Sequence, residues 1–375
     1  MTRWLIIAGD FTPLGGMDRA NHALARSLAS APGADVHLVA HRVWPDLEQS
    51  AAVHVHRVRR PFGSNVAGAP LLAAEGERRS RTFTDGRVIA NGGNADAGDI
   101  TWVHYLHAAH TPRSRGIRRR IQGRAFHQYY LARERTALRR ARVVLCNSAR
   151  TAADVHERLG VPPERTRVIY YGSDPERFPL VTAAERTAAR RELNWAEDRP
   201  VVAFVGALGD RRKGFDRLFD AWRQLCRDGS WDADLAVAGH GAELSRWRRA
   251  ATESGLEGRI RFLGFRDDVS RVLAASDVLV HPARYEAYGL GVHEAICRGL
   301  PAIVNATAGV AELYPAELSD LLIRNVEDSS EIADRLHRWR RDIPAGAARV
   351  RAFSERLRAR TWDDMSAEIR QAVGE

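Results

Sequence analysis

Residues 278–301 read VLVHPARYEAYGLGVHEAICRGLP. Val278 to His281 is a short apolar run that Pro282 ends. Glu286 follows in a loop, and the spacing beyond predicts a helix that starts near Tyr288 and carries Glu294 in its early turns. Strand, loop and helix in that order form the unit of a doubly wound α/β sheet, whose ligands gather at the C-terminal ends of the strands. The first helical amides, at Tyr288, Gly289 and Leu290, have the helix dipole behind them and make an anion site suited to a diphosphate.

The same alternation runs through the chain. Trp4 to Ala8, Asp35 to Ala40, Val53 to Val58, Arg87 to Ala90, Ile100 to Val103, Val143 to Cys146 and Arg167 to Tyr170 read as parallel strands, with amphipathic stretches such as Asp18 to Ala29 and Gln128 to Arg140 as crossover helices. Val201 to Gly206, Asp234 to Gly239, Ile260 to Gly264, Val278 to His281 and Ala302 to Asn305 repeat the scheme. Two Rossmann-like domains are expected across a cleft, as 375 residues also require. The turn-rich stretch Tyr171 to Pro179 suits a hinge, which puts the domains at 1–178 and 179–355, with a C-terminal helix over 356–375 long enough to pack back on the first.

Composition excludes several classes. Apolar residues make up 45% and charged residues 28%, and no run approaches the roughly 18 apolar residues of a membrane span. The start, Met1 to Gly9, lacks a signal peptide's apolar core and cleavage site, so a cytoplasmic protein is expected. Cys146, Cys226 and Cys297 have no metal-ligand or redox spacing, and neither a disulfide nor zinc is expected from them. The net charge of +10 is local: eleven arginines and one acid, Glu134, lie between Arg113 and Arg142, and the remainder sums to zero. This tract reads equally as an anionic-membrane contact, a surface for a polyanionic acceptor, or a solvated helix. The chain holds 56 arginines and one lysine, Lys213, which marks the place where a compact ammonium is wanted.

Glu286 and Glu294, separated by seven residues after a strand that ends at Pro282, can divide the work at the anion site, one carboxylate facing a sugar and the other accepting from ribose hydroxyls. Here the chain resembles the family 4 retaining glycosyltransferases of the GT-B fold, whose signature is this glutamate pair. The resemblance extends from GDFTPLGG (9–16) through LCNSART (145–151), VIYYGSDPERF (168–178), FVGALGDRRKG (204–214), VAGHGAEL (237–244), FLGFRDDV (262–269) and ASDVLVHP (275–282) to AGVAEL (308–313). It implies transfer of a sugar from a nucleotide-diphosphate sugar to a hydroxyl acceptor, without a metal or other cofactor.

It also implies roles. Glu286, His104 and Lys213 would be catalytic, with Lys213 neutralising the departing diphosphate. Relatives carry an arginine directly after the strand glycine, where this chain has Ala207, so Arg211 or Arg212 would substitute. Gly15 and Gly16, in a loop before a helix that Asp18 would cap, let the backbone approach the donor. Gly239, Gly241, Phe265 and Arg266 would flank the base, and Asp18 and His107 would contact the acceptor. The three-residue spacing of His104, His107 and His110 could hold a metal on a helix, but no carboxylate or cysteine accompanies them. Asp232 and Asp234 precede a strand, away from the ligand ends, and read as a solvated strand entry.

The competing readings are a sugar phosphorylase or nucleotide-sugar epimerase of the same fold and, from the pI of 10.2 alone, a basic nucleic-acid-binding protein. No recognised nucleic-acid module accompanies the basic tract, and no nucleic-acid partner is expected.

Overall fold

A computed structural model of the chain describes residues 3–112, 117–209, 211–227 and 229–374. It divides into two compact units, unit 1 comprising Met1–Gly172 with Arg360–Glu375, and unit 2 comprising Ser173–Ala359.

Unit 1 contains β1 (Arg3–Ile7), β2 (Asp10–Phe11), β3 (Asp35–Ala40), β4 (Arg42–Val43), β5 (Val53–Arg57), β6 (Gly86–Asn91), β7 (Ile100–Val103), β8 (Val143–Cys146) and β9 (Thr166–Val168). Seven of them form one sheet in the order β5-β3-β1-β6-β7-β8-β9, and β2 pairs with β4 apart from it. All pairings in the sheet are parallel. Trp4 to Ile7 and all of β7 and β8 are buried, which is why these strands read as continuous apolar runs. The edge strand β9 begins one residue earlier than expected and stops at Val168, although the amide of Ile169 still reaches the carbonyl of Cys146 at 2.8 Å.

Unit 2 contains β10 (Val201–Val205), β11 (Asp234–Ala238), β12 (Ile260–Gly264), β13 (Val278–His281), β14 (Ala302–Asn305) and β15 (Leu322–Ile323), in the order β12-β11-β10-β13-β14-β15 and parallel throughout. Its core packs Val202, Phe204, Leu235, Leu279 and Ile303 against Phe215, Leu218 and Trp222 of the helix Phe215–Leu225. The strand entry differs from its expectation at Asp234. Asp234 is buried and paired with Arg199 at 2.8 Å and Arg261 at 3.2 Å, so it is a structural anchor rather than a solvated group, whereas Asp232 stays exposed, as expected, and pairs with Arg340 at 2.7 Å.

The tail is three helices, Ile343–Arg349, Arg351–Ala359 and Trp362–Ala372. Thr361 and Asp364 form a reciprocal capping box that starts the last of these afresh. That helix packs on the helix Met17–Ala29, and the Arg360 guanidinium donates to the carbonyl of Tyr170 at 2.8 Å, which ties the tail into unit 1. Among the described residues no helix is long and apolar enough to cross a membrane.

Trp222 is wholly buried in the unit 2 core. Trp222→Ala should cost about 3–5 kcal/mol through lost burial and a residual cavity, read as an earlier urea midpoint by circular dichroism.

Candidate functional site

In unit 2 the site is built where β10 and β13 end. Glu286 follows β13, and its Oε2 is paired with the Lys213 ammonium, lies 2.9 Å from Nε2 of buried His281, and is 3.9 Å from a guanidinium nitrogen of Arg212. Burial pushes the Glu286 carboxyl up, but the Lys213 ammonium, the His281 hydrogen bond and Arg212 together outweigh it and hold the group well below the usual carboxylate range. His281 is pushed down by its own burial and by Lys213, so it donates as a neutral imidazole.

Arg284 fixes the two loops that carry these groups. Its guanidinium binds both oxygens of Asp216, at 2.7 and 2.9 Å, and the carbonyl of Arg211 at 2.7 Å, while its amide donates to the carbonyl of Arg212 at 2.8 Å. The loops cross so closely that a Cβ on Gly214 would lie 1.9 Å from the carbonyl oxygen of Pro282, and Gly214 has φ +73°. Lys213 is thereby delivered beside Glu286.

The helix that follows spans Leu290–Cys297, beginning two residues later than its spacing predicts. Tyr288 cannot be helical there, because its carbonyl accepts from Val310 at 2.7 Å and Gly289 caps the helix at φ +110°. The phenol of Tyr288 is buried against Nδ1 of His293 at 2.7 Å, so this side chain holds the turn together. The amides of Leu290 and Gly291 precede the first intrahelical bonds, and Glu294 is buried on the next turn.

The remaining expected donor-side residues follow β10, β11 and β12, neighbouring strands of the same sheet. Gly239 packs on the carbonyl of Gly206, 1.9 Å from where its Cβ would be, and Gly241 packs on Leu208. Arg211 shares a small recess with Ala207, Leu208 and Lys213, its Nε 4.0 Å from Glu243. Phe265, just past β12, is 74% exposed, whereas Arg266 is committed to Asp268 at 2.7 Å.

Unit 1 holds a separate pocket of about 320 Å³ at the C-terminal ends of β1, β6 and β7. Asp18, His104 and His107 all line it, together with Asn91, Tyr130 and Glu134. Gly15 and Gly16 lead into the adjoining helix, and Gly16 rather than Asp18 is its N-cap; Asp18 is the second helical residue, where the dipole still favours a carboxylate. Burial and the neighbouring Asp10 push the Asp18 carboxyl up to about 6, against the pull of Arg42 and Arg60.

His104 is buried, and burial pushes it down to about 3, so it is neutral. Its Nδ1 bonds to the Tyr171 hydroxyl, which also accepts from the Asn147 amide at 3.1 Å, and Asn147 is oriented by the carbonyl of His104 at 3.2 Å. Nε2 of His104 is buried without a hydrogen-bond partner. A polar atom in that state on a pocket wall is poised for a ligand hydroxyl. His107 stacks on Tyr130 with ring centroids 5.0 Å apart, and burial, aided by His127, pushes it down to about 4.

Several contributors escaped the sequence reading. His281 lay inside a strand, Tyr171 and Asn147 lay in motifs without assigned roles, and Glu134 stood out only as the lone acid of the basic tract. Glu134 is buried and accepts from the amides of His107 at 2.8 Å and Ala108 at 3.0 Å, yet burial pushes it up to about 7. The described part of the tract forms most of the helix Ile117–Arg140. His127, Leu131, Glu134 and Leu138 face inward, Arg133 pairs with Glu77 at 2.5 Å, and Arg142 pairs with Asp99 at 2.9 Å. Arg113 and Arg115 lie outside the described residues.

A carboxyl that holds its proton to higher pH in the native state than in the unfolded chain contributes stability that is lost as pH rises. Glu134 should show this between its ordinary 4.5 and about 7. Against Glu134→Gln, the parent chain should therefore lose relative stability from pH 5 to pH 8, measured as the difference in urea midpoints.

The family model described as Glycosyltransferase Family 4 matches residues 14–177, and that described as Glycosyl transferases group 1 matches residues 185–353. A 2-deoxystreptamine N-acetyl-D-glucosaminyltransferase of Streptomyces fradiae is 33% identical over 199 residues, 52% of this chain and 47% of that protein. The chain thus spans about half the length of that relative. Among solved structures, WaaG, a glycosyltransferase involved in lipopolysaccharide biosynthesis, superposes with a TM-score of 0.78 at 22% identity, covering 98% of this chain and 99% of that one. Anabaena Alr3699/HepE in complex with UDP and glucose gives 0.77 at 19% identity, covering 100% and 99%. These likenesses establish the fold as GT-B. The two family models together take in most of the chain, which belongs to the family 4 glycosyltransferases.

Proposed function

We propose that the protein is a retaining glycosyltransferase that takes its sugar from a nucleoside-diphosphate sugar held by unit 2 and delivers it to a hydroxyl of an acceptor held by the unit 1 pocket. The observation that carries this reading is the charge cluster of Lys213, Arg212 and His281 about Glu286, beside the start of the helix Leu290–Cys297. As the glycosidic bond breaks, negative charge grows on the diphosphate, and Lys213, the arginines of 211–212 and the helix amides are preorganised to stabilise it. Arg211, in the recess of Ala207, takes the part of the cation missing there. Glu286 orients the sugar, Glu294 accepts from ribose hydroxyls, Phe265 faces the base, and the leaving phosphate takes the acceptor proton. Cationic side chains do this work in place of a metal. In unit 1, His104 offers its free Nε2 to a sugar hydroxyl, and Asp18 and His107 contact the acceptor. A UDP donor is supported by HepE, which is solved with UDP and glucose.

Glu286→Gln and Lys213→Ala should each lower turnover by two orders of magnitude or more, with circular dichroism unchanged because His281 and Arg212 remain beside the pair. Nucleotide release from the preferred donor, found by thermal shift against UDP-, GDP-, ADP- and TDP-sugars, reads the effect. Product of inverted anomeric configuration, or near-normal turnover in both variants, would overturn the reading.

The chain works in the cytoplasm and meets anionic membrane through Ile121 and Arg124 of the helix Ile117–Arg140. Ile121 is 65% exposed there, near Arg124, whereas the second half of the helix is used in packing. Flotation with anionic but not neutral liposomes at low salt should follow, and Ile121→Ser with Arg124→Ser should reduce it; equal flotation with neutral liposomes, or none, removes this contact.

A further inference from the structure

At the opposite end of the unit 1 sheet from the pocket, β3 begins with Asp35 and His37, and the edge strand β5 carries His54 and His56. Parallel register places His37 opposite His54, and the two-residue period puts all four side chains on one face. Asp35 Oδ1 lies 3.0 Å from His37 Nε2 and 3.3 Å from His54 Nε2, and the three atoms are within 4.8 Å of one another. A tetrahedral ion with bonds of about 2.0–2.2 Å to nitrogen and oxygen spans edges of roughly 3.4 Å, so little movement separates this arrangement from a coordination sphere.

Hydrogen bonding settles which nitrogen of His37 is free. An Arg79 guanidinium nitrogen, which can only donate, lies 3.3 Å from His56 Nε2, so that nitrogen is an acceptor. His37 Nδ1, 2.9 Å from the same atom, must then be the donor, and in a neutral ring Nε2 carries a lone pair. Asp35 Oδ1, which His37 Nε2 faces at 3.0 Å, is buried without a hydrogen-bond partner. The other carboxylate oxygen is held by Arg3 Nε at 2.7 Å. A metal cation held between Asp35 Oδ1 and His37 Nε2 would answer both atoms, and His56 and Arg3 stand behind them where the second partners of metal ligands are found.

We infer that Asp35, His37 and His54 form a binding site for a divalent transition-metal ion of the zinc class, which clamps the edge strand β5 to β3. Two imidazoles and one carboxylate are the donor set such ions prefer, and no cysteine is needed. The site is separate from the transfer chemistry and does not depend on it.

The test uses the untagged, EDTA-stripped chain with Co²⁺ as a spectroscopic probe and Zn²⁺ as competitor. One equivalent of Co²⁺ should give visible ligand-field bands that Zn²⁺ abolishes, and Zn²⁺ should raise the melting temperature. His54→Gln, on an exposed edge position, should weaken binding at least tenfold while melting like the parent in EDTA. His56→Gln, which removes the Nε2 acceptor and the ring stacked on His37 but no ligand, should weaken it about tenfold. Absence of bands at millimolar Co²⁺, or parental affinity in His54→Gln and Asp35→Asn alike, would falsify the assignment.

Discussion

The ion pair of Lys213 and Glu286 is the constraint around which unit 2 is arranged. A carboxylate this enclosed is costly unless its charge is answered, and here one ammonium, one neutral imidazole and a nearby guanidinium answer it. Those partners come from two loops, so the loops must be held in one relative position. Arg284 does this with four hydrogen bonds to Asp216, Arg211 and Arg212, and Gly214 lets the chains touch where no side chain would fit. Preorganisation follows from the same economy. Cations already fixed to neutralise a carboxylate need little reorganisation when a diphosphate arrives to share them.

The unit 1 pocket solves a different problem. Its titratable groups are shifted toward neutrality: burial lowers His104 and His107 and raises Asp18 and Glu134. Asp10 and Arg60, paired on the same wall, answer one another's charge, so the pocket offers hydroxyls directional hydrogen bonds.

How far the sequence could show this depended on the range of each interaction. The buried strands were legible because parallel sheets covered on both faces leave unbroken apolar runs, and Glu286 and Lys213 were legible because a strand end, a proline and a glycine fix their setting locally. His281, Asn147 and Tyr171 were not, since what matters about them is a partner distant in sequence or hidden inside an apolar strand. Asp234 was misread as solvated for the same reason: its arginines come from two other segments, Arg199 from one and Arg259 and Arg261 from the start of β12. The helix at Leu290 was placed two residues early because the bond from Val310 to Tyr288, from a loop beyond β14, takes precedence over local propensity.

The near-absence of lysine sharpens the meaning of Lys213. Elsewhere arginines serve as planar forks, spanning carboxylates as Arg284 does or capping carbonyls as Arg190 and Arg259 do. Such a fork commits its geometry to one set of acceptors. Position 213 sits in a narrow place, its side chain against Gly206 and its nitrogen on Glu286. An ammonium on a flexible stem fits that space and can turn its three donors from a carboxylate toward a phosphate without rebuilding the loop. A cation that keeps the freedom to change partners is better carried by lysine than by a residue whose strength is to keep the partners it has.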